Sequence, residues 1–295
     1  MIQIRDLQKT FGAVRAVAGV SLDVPRGQTI GLLGPNGAGK TTTMSLLAGL
    51  LRPDAGTIQF EDRGGPDLPA ARETLGLAPQ SLAIYANLTG RENLRFFGEL
   101  YGLGGGKLAE RAEWALKFTG LDKRGDDRAG TYSGGMQRRL NLACALVHEP
   151  AILLLDEPTV GVDPQSRNHL LENILALKQQ GLTILYTTHY MEEAEKLCDR
   201  IAIMDAGKIL ADGSLPELLA KHGGMSVVEL ELKRVPQHQE LPGKLDGRTL
   251  RFESADAGAD VLKLAQGGVE FETLNVRRPS LEDVFLSLTG RSLRD

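Results

Sequence analysis

Apolar residues recur along the chain at two periods, and the changes of period mark its elements. From residue 1 to about 60 the short runs IQIRDL, VAGVSLDV, TIGLLG and GTIQF, broken by Gly and Pro, predict strands. KTTTMSLLAGLL follows as a helix with Gly49 near its end, and TLGLAPQ (74–80) predicts a strand that stops at Gln80. Residues 89–120 read as helical. Thr89 and Glu92 have the spacing of a capping box, and a second helix, KLAERAEWALKF, ends before Gly120. Met136, Leu140, Cys144 and Val147 share one face of a third helix. The apolar strands AILLL and TILYTT flank the helix PQSRNHLLENILALKQQ, and a further helix and the hairpin RIAIMDAGKILADG come after. Strands alternating with helices predict a mostly parallel, helix-covered sheet, with residues 81–140 as a helical insertion.

The pattern shifts near KHGGMS, 221–226. VVELELK and TLRFES alternate apolar with polar and read as half-exposed strands. A short helix (260–266), a strand (VEFETLNV) and a last helix complete the tail. That helix opens with the capping box Ser280–Asp283 and stops at Gly290. The expected domains are 1–222 and a small α+β unit over 226–295. A length of 295 residues agrees with one large domain plus a smaller one.

Charge and cysteine narrow the classes. A net charge of −4 provides no field that would draw the whole chain to nucleic acid. Cys144 and Cys198 sit in apolar segments and read as small buried hydrophobes rather than a disulfide, in keeping with a reducing cytoplasm. The N-terminus MIQIRDLQKT has no apolar signal core and no run approaches 18 apolar residues, so the chain is expected to be neither exported nor membrane-spanning by itself.

The chemistry begins at Gly34-Pro35-Asn36-Gly37-Ala38-Gly39-Lys40-Thr41-Thr42, a P-loop pattern between a strand and a helix. Its glycines let backbone N–H groups curl around phosphates, and the helix N-terminus adds a favourable dipole. Lys40 is expected to reach the β/γ-phosphates and the Thr41 hydroxyl to bind Mg²⁺. AILLL then delivers Asp156 and Glu157 at a strand's C-terminal end, where ligands of open α/β sheets bind. Asp156 is expected to hold Mg²⁺ and Glu157 to polarise water as general base. A solitary acid after a core strand is commonly a solvated turn; two adjacent acids downstream of a P-loop favour function. His189 and Gln80 each end a strand of the same sheet. A lone His is more often structural, but its place beside the Asp156 strand favours a role in the site. The amide of Gln80 could touch both metal and water. A second glycine stretch, Ser133-Gly134-Gly135, runs straight into a helix about a hundred residues after the first.

The order P-loop, Gln80, Ser133-Gly134-Gly135, Asp156-Glu157, His189 resembles the ATP-binding cassette (ABC) ATPases over residues 1 to about 222. The resemblance implies a P-loop NTPase core of α/β class. It comprises a mostly parallel sheet, an N-terminal antiparallel β subdomain and a helical insertion, with the small C-terminal α+β domain appended. It implies ATP hydrolysis with Mg²⁺ in a homodimer of cassettes packed head to tail, each Ser133-Gly134-Gly135 closing over the ATP on the other chain's P-loop. Ser133 is a suitable N-cap, and the helix after it offers a positive dipole end to a phosphate arriving from outside. By the same resemblance Phe11 would stack on adenine, Asp163 would lie in the loop that signals across the dimer, and His189 would be the γ-phosphate switch. Tyr132 and Met136 depart from the family's usual Leu and Gln: Ser133 and the backbone donors survive, whereas any contact made by a glutamine side chain at 136 does not.

YSGGMQRR together with RPSLEDVFLSLTG (278–290) resembles the separately encoded ATPase subunits of drug-resistance, antibiotic, lipid or polysaccharide exporters. That implies a short integral-membrane permease partner and a peripheral place on the inner face of the cell membrane. In LAIYANLTGRENLRFFGELYGL, the stretch expected to dock it, Ile84 and Tyr85 are the contact candidates; most of Phe96, Phe97, Leu100 and Tyr101 read as core. The alternative is a soluble ABC-type ATPase of translation or DNA repair. The single set of motifs, the absence of a heptad insertion and the −4 charge weigh against it. A P-loop kinase or GTPase switch leaves Ser133-Gly134-Gly135 and His189 unexplained.

Overall fold

A computed structural model describes residues 1–236 and 241–291, in two compact units that divide between Ser214 and Leu215. In the first unit, β1 (Ile2–Phe11) pairs antiparallel with β2 (Val14–Val24), and the strand β4 (Ala55–Phe60) pairs with β1 on its other side, giving a three-stranded antiparallel sheet. Between them in sequence lie β3 (Thr29–Leu33) and α1 (Lys40–Leu47), and after them the short α2 (Pro69–Arg72) and β5 (Leu75–Ala78). The larger sheet has the order β5-β6-β7-β3-β8-β9, with β6 (Ile152–Asp156), β7 (Thr183–Thr188), β8 (Arg200–Asp205) and β9 (Lys208–Gly213). All its pairings are parallel except the β8–β9 hairpin at one edge. β3, β6 and β7 are buried at every position, which is why their sequences run without polar alternation. Each buried Leu of β6 contributes about 1.5–3 kcal/mol.

The strand expected over 74–80 stops at Ala78. Pro79 has no N–H to continue a ladder, so Gln80 stands two residues beyond the strand end, in the loop that leads to the helical insertion. That insertion holds α3 (Gly90–Leu100), α4 (Gly105–Phe118) and α5 (Gly134–Leu146), packed around Leu94, Leu116, Leu140 and Val147. The Thr89–Glu92 capping box opens α3. α6 (Pro164–Gln179) and α7 (Met191–Leu197) complete the first unit. Cys144 and Cys198 form no disulfide.

The second unit begins with α8 (Leu215–His222), which the expected boundary at 222 assigns to the first domain; α8 packs instead on the last helix, α10 (Leu281–Thr289). Its sheet has the order β11-β12-β10-β13 and is wholly antiparallel, formed by β10 (Ser226–Leu232), β11 (Lys244–Asp246), β12 (Thr249–Ser254) and β13 (Phe271–Arg277). Alternate residues Val228, Leu230, Leu232, Leu250 and Phe252 turn to one face and pack with Leu264 of α9 (Ala257–Gln266). That helix starts three residues earlier than 260 because Asp256 caps it, accepting from the Ala259 N–H at 3.0 Å.

Candidate nucleotide site

The glycines of the first loop are set by close backbone approach. Gly39 has φ 104°, and a Cβ there would lie 2.2 Å from the Ala16 carbonyl; one on Gly34 would lie 2.1 Å from that of Met204. Only glycine fits either place. Ala38 is buried, Asn36 and Gly37 are exposed and Thr42 is half-buried. Lys40, the first residue of α1, folds back over the loop. Its Nζ donates to the carbonyls of Gly34 (2.7 Å) and Pro35 (3.0 Å) and pairs with Glu157 Oε1 at 2.8 Å.

Asp156 ends β6 inside the sheet. Its Oδ1 accepts from Thr187 Oγ1 at 2.6 Å and from Thr41 Oγ1 at 3.3 Å. Burial pushes the carboxyl above the usual carboxylate range, and the two hydroxyls act against that push. Glu157 follows with φ 44°, a left-handed conformation costing on the order of 1–3 kcal/mol for a residue with a side chain. Its N–H donates to Thr187 Oγ1 at 2.9 Å and to the Thr187 carbonyl at 3.2 Å, which hold the turn in place. The residue is only 4% exposed. Gln80 Nε2 donates to its Oε2 at 3.2 Å, and His189 Nδ1 lies 3.5 Å from the same oxygen without hydrogen-bond geometry. Lys40, Thr41, Gln80, Asp156, Glu157 and His189 therefore form one cluster at the C-terminal ends of the strands. A separate cavity of about 600 Å³, lined by Arg26, Ile152 and Thr183, lies at the opposite ends.

The second glycine stretch stands apart. Ser133 caps α5, accepting from the Met136 N–H at 3.3 Å, and both Ser133 and Gly134 are exposed. A Cβ on Gly135 would lie 2.1 Å from Ser166 Oγ. Asp163 caps α6 through the Ser166 N–H at 2.9 Å, a bond that holds its carboxyl below the usual range. Among the described residues no hydrogen bond or ion pair joins Ser133, Gly134 or Gly135 to the Lys40 cluster.

The model of the ABC transporter family matches residues 17–160. Over its full length the chain is 39% identical, across 312 residues, to the linearmycin resistance ATP-binding protein LnrL of Bacillus subtilis, of which it covers 100%. The chain belongs to the ABC transporter ATP-binding proteins. The Nod factor export ATP-binding protein I of Cupriavidus metallidurans is 41% identical over 306 residues, with 100% of this chain and 99% of that protein covered. Among solved structures, an ATP-binding subunit of an ABC transporter superposes with a TM-score of 0.69 at 31% identity, covering 76% of this chain and 93% of that one. The dimeric structure of the bacterial ABC transporter cassette MJ0796 gives 0.67 at 25% identity, covering 73% and 99%. The chain is thus an ABC-type ATPase that binds ATP. Among the described residues no helix is long and apolar enough to cross a membrane.

Within the family's pattern this chain's departures have structural partners. Tyr132, where Leu is usual, is buried and donates its hydroxyl to the Arg124 carbonyl at 2.6 Å, tying the entry of α5 to the turn after α4. Met136, where Gln is usual, packs against the helical cluster. Phe11 is 47% exposed at the end of β1, with Lys9 Nζ 5.7 Å from its ring centre. Ile84 is half-buried against the helical cluster, while Tyr85 is 49% exposed and meets Phe96 edge to face at 4.8 Å. Phe97 packs in that cluster as expected for core. Leu100 does not: it is 66% exposed, on the outer side of α3. Tyr101 is also exposed, its ring stacked on His148.

Thr187 is the site residue that motif reading misses. Its one hydroxyl both donates to Asp156 and accepts from Glu157. The signal for it is a pair of threonines that follow the run Ile184-Leu185-Tyr186 just before His189. Among the described residues no group of three His, Cys, Asp or Glu could hold a metal alone. Thr41 and Asp156 supply two oxygens side by side, which suits Mg²⁺, an ion usually held by one or two carboxylates together with phosphate oxygens and water.

Proposed function

We propose that the chain homodimerises head to tail around two Mg-ATP and powers an exporter through a separate membrane subunit. The observation that carries this is the separation of parts. The acids, Gln80, His189 and the P-loop lysine converge in one cluster, while a capped, exposed Ser133-Gly134 helix terminus is aimed elsewhere. Only a second chain can bring the two together over one phosphate. A solved relative is described as dimeric, and relatives are named for linearmycin resistance, Nod factor export and daunorubicin resistance.

In this reading the N–H groups of residues 34–42 cradle the phosphates, and Phe11 offers its exposed ring to the adenine. Phosphate oxygens compete with Glu157 for Lys40, so binding hands the lysine over and frees the carboxylate. Glu157, oriented at Oε2 by Gln80, then takes a proton from water. The water oxygen bonds to the γ-phosphorus as the bridging P–O bond breaks to release ADP, with His189 beside Glu157 as the γ-phosphate switch. Mg²⁺, held by Thr41 and Asp156, would neutralise charge on the phosphates. Ser133, Gly134 and Gly135 donate to the γ-phosphate of the partner's nucleotide, and Asp163, packed against Gly135, lies at the shared face. The permease docks near Ile84 and Tyr85, beside Gln80, which places the protein peripherally on the cytoplasmic face of the membrane.

The test is to recover tagged Glu157→Gln from its native membranes in mild detergent with Mg-ATP and to identify its companions by mass. Two copies of the chain with a multi-span hydrophobic protein are the expected result. Ribosomal proteins or DNA, with nothing from the membrane, would move the ATPase to translation or repair.

A further inference from the structure

Arg138 lies one and a half turns along α5 from Ser133 and carries no carboxylate partner among the described residues. Its guanidinium forks between two backbone carbonyls on separate loops: Nη1 donates to Gln80, and Nη2 donates to Val160 at 3.2 Å. Asn141, on the same helix face, is buried and closes around the same loop. Its Nδ2 donates to the Pro79 carbonyl at 3.2 Å and its Oδ1 accepts from the Ala83 N–H at 3.1 Å. Arg139 points the other way, with Nη1 donating to the carbonyls of Thr119 (2.8 Å) and Gly120 (3.2 Å) at the end of α4. The helix that Ser133 caps is thus bolted on one side to the end of α4 and on the other to the Gln80 loop and the turn after Glu157. Hydrogen bonds from a charged fork are stronger and more directional than neutral ones. Burial disfavours the charge of Arg138.

We infer that Arg138, assisted by Asn141, is a positioning residue that makes the Ser133 loop move with Gln80. The inference rests on the proposed split site. Gln80 touches Glu157 in its own chain. The strut carries any displacement of Gln80 through α5 to Ser133, which completes the other chain's site. Each nucleotide therefore sets the loop that serves its neighbour, and the two sites are coupled.

Mixed dimers purified through two different tags test this. One chain carries Glu157→Gln, so that hydrolysis runs only at the nucleotide on the other chain. Arg138→Gln on the Glu157→Gln chain loosens the loop that serves the active nucleotide; on the other chain it loosens the loop that serves the silent one. Hydrolysis should fall roughly 10- to 100-fold in the first arrangement, as for misplacement by about 1 Å, and at least tenfold less in the second. Arg138→Lys keeps the charge without the fork and should restore the first arrangement only in part. Equal loss in both arrangements, loss confined to the second, or full recovery with Lys overturns the strut. Ser133→Arg in the first arrangement separates the two ideas. If it leaves hydrolysis intact the split site itself fails; if it abolishes hydrolysis while Arg138→Gln does not, only the strut fails.

Discussion

Lys40 and Glu157 form an ion pair closed off from water: Nζ and Oε1 are 2.8 Å apart, and the side chains are 4% and 5% exposed. Removing one member of such a pair leaves a buried charge uncompensated, at a cost of about 3–5 kcal/mol. Glu157→Gln should therefore lower the thermal stability of the free chain, and ATP should restore it, because phosphate supplies Lys40 with the negative charge that the carboxylate no longer does. ATP should bind more tightly than to wild type while hydrolysis drops roughly 10²- to 10⁴-fold. Gel filtration with Mg-ATP should show a dimer. Ordinary turnover by this variant would remove Glu157 from the role of base.

Thr187 places both acids with one hydroxyl, and valine has nearly its shape without that oxygen. Thr187→Val leaves the Glu157 N–H with only the longer 3.2 Å bond and Asp156 with only the 3.3 Å bond from Thr41. Each weakened buried contact costs about 1–3 kcal/mol. The expected result is slower hydrolysis with a higher Mg²⁺ requirement, and Thr187→Ser should restore both. An unchanged Mg²⁺ titration would show that the hydroxyl does not hold Asp156 in its working position.

The cluster at Lys40 is legible in the sequence because P-loop spacing and paired acids after an apolar strand rarely coincide by chance. Periodicity sets Gln80 at a strand end, whereas it stands in a loop, because a ladder cannot pass Pro79. Hydrophobicity assigns Leu100 to the core, yet a helix needs only one face covered and Leu100 lies off it. Arg138 is invisible in the sequence for a deeper reason, and Thr187 leaves only the trace of paired threonines before His189. A hydroxyl that bridges two acids and a guanidinium that bridges two carbonyls are defined by residues far away in the chain, and local pattern carries no trace of such partners. The same holds for α8, since helical periodicity says nothing about which neighbour a helix packs on.

Ser133 is exposed, and among the described residues nothing fills the space beyond Gly134, where a Cβ would meet no atom within 4 Å. Ser133→Arg should therefore be tolerated by the fold, with a melting temperature close to wild type. It should leave nucleotide binding by the single chain unchanged and abolish hydrolysis, since the long side chain blocks the partner's phosphate. Specific activity of the wild-type protein should rise with protein concentration, whereas the variant stays flat. Undiminished turnover by Ser133→Arg would refute the trans assignment.

His148 should make the stability of the first unit pH-dependent. Its ring stacks on Tyr101 at 3.6 Å, and its Nε2 lies 3.0 Å from the Leu75 carbonyl at the start of β5. Burial holds the imidazole below its ordinary value of 6.5; the Leu75 carbonyl acts against that and Arg111 adds to it. A histidine depressed in the folded chain takes up its proton first in the unfolded chain. Its contribution is therefore present above the unfolded value of 6.5 and is lost as pH falls from there through the folded value. Melting temperature should drop on going from about pH 7.5 to about pH 5.5, across the range where imidazole titrates. His148→Phe keeps the stack on Tyr101 without a titrating group, so its drop over the same interval should be smaller. Parallel pH curves for wild type and variant would assign the acid sensitivity to another group.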